Sequence, residues 1–291
     1  MRPHRLVSLA SIALGIGIAA VAILGPLWLN VIRQHISPNV ENQVVGADAV
    51  SLFVVAPLAL TGGLLWWRGH GLAPSLTFGP AAYAVYIHFQ YIVGSEYERY
   101  PGNSERYFAL FYAIVLLGLL VALMSWSQLG AGDLPSRRVR LSATWLLIAV
   151  SSLLGLAWIK AIADLIGGTR TTEYLEAPVL FWLVKTMDLA FVIPAAVATG
   201  VGLLRHSALA ARVAAGMTCW LALMMASVAA MGVVMWLNDD PSASPLFVVV
   251  LVPAAIVMAA LTVAFWGARS GARDEHVRRR VSTLGSTHQH T

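Results

Sequence analysis

The chain has one cysteine, Cys219, two lysines, Lys160 and Lys185, and charged residues at only 11% of its 291 positions. A single cysteine excludes an internal disulfide and a thiolate metal cluster. A soluble domain carries about 25% charged residues, so water is not this chain's solvent. The sequence also lacks His-Glu-x-x-His, Gly-x-Ser-x-Gly and any acidic metal cluster, which leaves an enzyme without a recognisable nucleophile or metal set. A bis-histidine haem needs two histidines at matching depth on facing helices. Only His88 lies well inside an apolar run, and no cofactor is expected.

What is present is apolar sequence: 58% hydrophobic residues and a mean hydropathy of +0.74. A bilayer core of about 30 Å needs about 20 apolar residues per helix. Runs of that length fall at Leu6–Leu29, Asp48–Trp67, Pro80–Tyr97, Tyr107–Trp126, Leu141–Ile166, Pro178–Leu204, Val213–Leu237 and Leu246–Trp266. They predict an all-α membrane protein of eight transmembrane helices. The first run is too long for a signal peptide, and its one small-x-small site, at Ala20 and Ala22, lies inside the run rather than after it.

The net charge of +5 would suggest nucleic acid in a soluble protein, but here the charges sort by side of the membrane. With the N-terminus inside, thirteen of the seventeen arginines share one side, and only Arg33, Arg99, Arg106 and Arg170 face the other with most of the acids. The positive-inside rule then predicts both termini in the cytoplasm. Asn30–Val45 is the longest predicted outer loop. The basic tail 269–291 is expected to be disordered, with Arg278, Arg279 and Arg280 placed to touch anionic lipid head groups.

The second and sixth spans read alike. Asp48, Pro57, Thr61-Gly, Leu64-Leu, Arg68 and His70 are answered in order by Asp188, Pro194, Thr199-Gly, Leu203-Leu, Arg205 and His206. This predicts a 4+4 parallel repeat: a first half over 1–132, a basic linker over 133–140 and a second half over 141–268. Two halves of four spans would be related by an axis along the membrane normal.

Both lysines lie inside spans, whereas every peripheral cation is arginine. Lysine shifts its protonation on burial more readily than arginine, which suits a switchable group. A charge at bilayer depth costs about 2.5 to 3.5 kcal/mol even on lenient scales. Lys160 and Asp164 are spaced i,i+4, and Lys185 and Asp188 i,i+3, so each pair shares a helix face. Both lysines fall about 10 Å below the outer helix ends at 1.5 Å per residue. One network of four charges is expected, with Asp48 as the counterpart of Asp188. A helical ion-pair clasp is the structural alternative. His88 and Gln90 of the third span lie at similar depth as candidate relay or ligand groups. Pro57 and Pro194 deprive the carbonyls of Phe53 and Ala190 of their helical partners. Met217, Met224, Met231 and Met235 form a stripe read as packing.

The two acid-to-proline spans, together with Tyr83, Tyr86, Tyr91 and Gly94 before an outer loop, resemble a family of bacterial polytopic membrane proteins with no assigned activity. The resemblance implies a bacterial plasma membrane and acids within the spans. The loop here, Tyr100-Pro-Gly-Asn103-Ser-Glu, departs from the Tyr-Asn-aromatic pattern of that family. Three functions follow from the residues. The first is a small-solute or ion permease with Asp48, Asp188, Lys160 and Lys185 lining a path between the halves. The second is a non-catalytic assembly subunit, a homo-oligomer or partner of another membrane protein, with structural charges. The third is a membrane enzyme acting on lipid.

Overall fold

The computed structural model describes residues 3–129, 135–243 and 248–268, and among them the chain is helical throughout with no strand. The tail 269–291, with Arg278 to Arg280, and residues 133–134 of the expected linker lie outside the described residues. The long helices are α1 (Pro3–Leu24), α2 (Pro38–Val50), α3 (Ala56–Trp67), α4 (Ala73–Val93), α5 (Phe108–Gln128) and α6 (Arg137–Ile166). After the short α7 (Thr172–Glu176) come α8 (Pro178–Met187), α9 (Ile193–Leu204) and α10 (Ala208–Leu237), then α11 (Val248–Ala268). α2 runs into α3, and α8 into α9, through a single bent span each. Counted so, seven helices among the described residues are long and apolar enough to cross a membrane, which makes this an all-α, multi-pass integral membrane protein.

α4 is the long helix outside those seven, because Tyr83, Tyr86, His88, Gln90 and Tyr91 dilute its apolar surface. It is nonetheless 21 residues long, about 32 Å, and starts at Ala73 rather than at the expected Pro80. The second span likewise begins at Pro38, so the expected loop Asn30–Val45 is half helix. Ser37 caps that start by accepting from the Val40 N–H, and proline is tolerated as the first helical residue because its missing donor has no partner there.

Both bent spans carry a π turn at the same place. Ser51–Val55 lies just before Pro57, and Asp188–Val192 just before Pro194. A proline ring collides with the carbonyl one α-turn back. Widening that turn relieves the collision: Ala56 N–H bonds to Ser51 O, and Ile193 N–H to Asp188 O. Phe53 and Ala190 lie on the exposed face, away from the buried acids. The spans also end alike. Arg68 N–H bonds to Leu64 O and His70 N–H to Leu65 O, as Arg205 does to Val201 and Ser207 to Gly202. Gly69 (φ +65°) and His206 (φ +54°) supply the left-handed residue that such a cap requires.

α4 and α10 pack together at the centre, with Ala81, Ala84, Ala214 and Ala215 wholly or almost wholly buried between neighbours. α1 packs on α3 and α6 on α9; α2 crosses to α10, and α8 to α4. In lipid such contacts are held by close van der Waals packing rather than by apolar burial. At one end, four loops are tied together. Ser37 donates to Glu176, Tyr100 to the Glu176 carbonyl, Val179 N–H to Glu96, and Asn39 and Asn42 to Asp240. The fourth and eighth apolar runs lack charge, which places them at the lipid face by sequence; α5 and α11 are both largely unburied, and α6 is more so.

Candidate functional site

A cavity of about 480 Å³ lies between α2 and α4 on one side and α6, α7, α8, α10 and α11 on the other. Asn39, Gln43 and Gln90 mark its loop end with Glu173 and Glu176, and its body is walled by leucine, valine and methionine. Asp188 is the acid at its depth. Its Oδ1 accepts from the Tyr86 hydroxyl at 2.7 Å and its Oδ2 from Trp158 Nε1 at 2.8 Å. Tyr86 comes from α4, Trp158 from α6 and Asp188 from the first residue of the π turn, so three spans converge on one carboxyl group.

Lys185 is wholly buried but does not line this chamber. Its Nζ donates to Glu173 Oε1 at 2.7 Å and sits 4.1 Å from the Trp158 ring centroid and 3.7 Å from that of Phe181. The two aromatic walls thus have an ammonium behind them, satisfied by a carboxylate and by π faces.

The four expected charges do not form one network. Lys160 and Asp164 pair with each other on α6, with side chains 76% and 38% exposed. The i,i+4 spacing correctly put them on one face, but that face points outward. Asp48 is also separate. It lies buried near the chamber without lining it; its Oδ1 accepts from the Tyr91 hydroxyl at 2.8 Å, and its Oδ2 has no hydrogen-bond partner. His88 faces away from the chamber, its Nδ1 at 2.9 Å from the Ala84 carbonyl and its ring against Tyr91 and Phe111. Gln90 lines the chamber and also a neighbouring cavity of about 50 Å³ beside Tyr91, large enough for water.

Trp158, Tyr86 and Glu173 were not among the predicted site residues, although Tyr86 stands in a helix whose polar residues already marked it. Met224, Met225 and Met231 line the chamber rather than serving only as packing. Comparison with protein-family models, with curated proteins and with solved structures returns no match. The chemistry of the site therefore rests on its own geometry.

Proposed function

We propose that the chain is an eight-span permease of two similar four-helix halves, with both termini in the cytoplasm and the chamber between the halves as its solute site. The observation that carries this reading is a chamber walled from both halves with a buried, hydrogen-bonded carboxyl at its depth. α4 supports eight crossings: its start lies at the end of the bundle where Arg68 caps α3, and its C-terminal end lies beside the tied loops. The matched π turns and caps support a repeat, as does the exchange of α2 onto α10 and of α8 onto α4. An axis along the membrane normal requires such reciprocal crossings.

Alternating access tests the proposal without knowledge of the solute. In a Cys219→Ala background, Met224→Cys places a thiol on the chamber wall. A membrane-impermeant maleimide should label it in both right-side-out and inverted vesicles. Labelling from neither side, or from one only, would sink the permease reading. The subunit reading is favoured by one observation, the Lys160–Asp164 pair exposed on a span; it predicts a co-purifying protein that Lys160→Leu with Asp164→Leu releases.

A further inference from the structure

We infer that the chamber takes a lipophilic organic cation, an ammonium or phosphonium group carried on an apolar body. This rests on the chamber being the solute site of the proposed permease.

The sign of charge follows from the walls. The lining holds Asp188, Glu173 and Glu176 and, among the described residues, no lysine, arginine or histidine. Lys185 offsets one of those acids from behind Trp158 and Phe181. Three carboxyl groups line the cavity and the one ammonium near it, on Lys185, is already paired with Glu173, so the ionisable groups of the wall are acidic. Both oxygens of Asp188 already accept one hydrogen bond from a wall residue, which fixes the carboxyl group, and each carboxylate oxygen retains a further lone pair. A ligand anion beside Asp188 would meet an acid whose two neighbouring donors, Tyr86 and Trp158, are already taken.

The aromatic walls select the kind of cation. Tyr86, Trp158, Phe181 and Trp220 all face the chamber, and two of them already hold the Lys185 ammonium on their rings. Delocalised or alkylated cations suit such faces because they shed water at low cost.

Size and access fit an apolar body. The volume of about 480 Å³ is in the range of about 300–1,000 Å³ that holds small organic ligands. Leu153 of α6 and Val250 of α11 line the chamber and are 68% and 58% exposed. The chamber is therefore unsealed along α6 and α11, two largely unburied apolar spans, so an apolar cation reaches it from the bilayer.

The test uses tetraphenylphosphonium and its anionic isostere tetraphenylborate, in separate samples, by equilibrium dialysis against the detergent-solubilised full chain with protein-free micelles subtracted. Tetraphenylphosphonium should bind at least ten-fold more tightly than tetraphenylborate. Asp188→Asn should weaken it at least ten-fold, while Lys160→Gln leaves it unchanged. Equal or tighter binding of the anion, binding of neither probe, or an unaltered affinity in Asp188→Asn overturns the inference. The two-probe comparison on the unaltered chain decides even if that variant does not fold. Binding without counterflow of labelled tetraphenylphosphonium in proteoliposomes overturns the permease reading alone and leaves the cation site standing.

Discussion

The hydroxyl of Tyr86 donates to Asp188 Oδ1 at 2.7 Å, from α4 to the π turn between α8 and α9. Five residues further along the same helix, Tyr91 donates to Asp48. One helix therefore supplies the phenols that hold both buried aspartates. Removing a donor to a buried acceptor costs about 1–3 kcal/mol. Tyr86→Phe should lower the melting temperature in detergent by several degrees. Tyr112→Phe, at an exposed ring, should leave it unchanged.

The partner of Lys185 is Glu173, not Asp188. Glu173→Gln should destabilise the protein by about 1–2 kcal/mol, because Lys185 is buried but the Glu173 side chain is half exposed to solvent screening. In a double-mutant cycle with Lys185→Met, the Glu173 coupling should exceed the Asp188 coupling. Lys160→Gln and Asp164→Asn, an exposed pair, should each stay within about 0.5 kcal/mol. A larger coupling of Lys185 to Asp188 would restore the four-charge centre.

Asp48 keeps one oxygen without a partner in a buried site. An amide retains the acceptor for Tyr91 and removes the charge, so Asp48→Asn should be neutral or stabilising in thermal unfolding. Asp48→Leu strands the Tyr91 hydroxyl and should cost about 1–3 kcal/mol. Similar losses in both variants would refute this account of the site.

A methyl group at Gly46 would overlap the backbone of Met231, which cannot swing aside as a side chain does. Gly46→Ala should cost about 1–3 kcal/mol by pushing α2 off α10. At Gly155 the nearest atom to an added Cβ is Ile193 Cδ1 at an ordinary 3.5 Å. Gly155→Ala should gain up to about 1 kcal/mol from helix propensity. The relative melting temperatures of the two variants check both predictions.

Asp240 lies beyond the end of α10. Partial desolvation raises its pKa, but it accepts from Ser242 N–H, Asn42 and Asn39, and these bonds hold it below the usual carboxylate range. A depressed folded value means that the stabilisation is fully present above the unfolded value of about 3.9 and is lost as the pH falls through the folded value. The melting-temperature gap between the natural chain and Asp240→Ala should therefore be constant above about pH 5 and close progressively below pH 4. A gap that widens in acid would contradict the assigned bonds.

Hydropathy revealed most helices because lipid-facing and core positions are both apolar here, and Pro178–Leu204 has the expected bounds. It missed the first ten residues of the second span because Asn39, Glu41, Asn42 and Gln43 are polar, yet Ser37-Pro38 is a helix start by local chemistry. Asp188 was legible as a central acid, since a buried charge stands out against an apolar run. Its partners were not. Periodicity gives the face a residue shares, not the direction of that face, so Lys160 could not be distinguished from Lys185. Glu173 reaches Lys185 only because α7 folds back over the chamber, which no spacing reveals.

The bent spans begin alike and end alike, but Asp48 stands nine residues before its proline and Asp188 six. Three residues are less than one helical turn, about 4.5 Å. That small slip divides the labour between two otherwise matching carboxyl groups. One is set at the mouth of a π turn and given to the chamber; the other is kept three residues earlier in the helix and given to the chain's own interior.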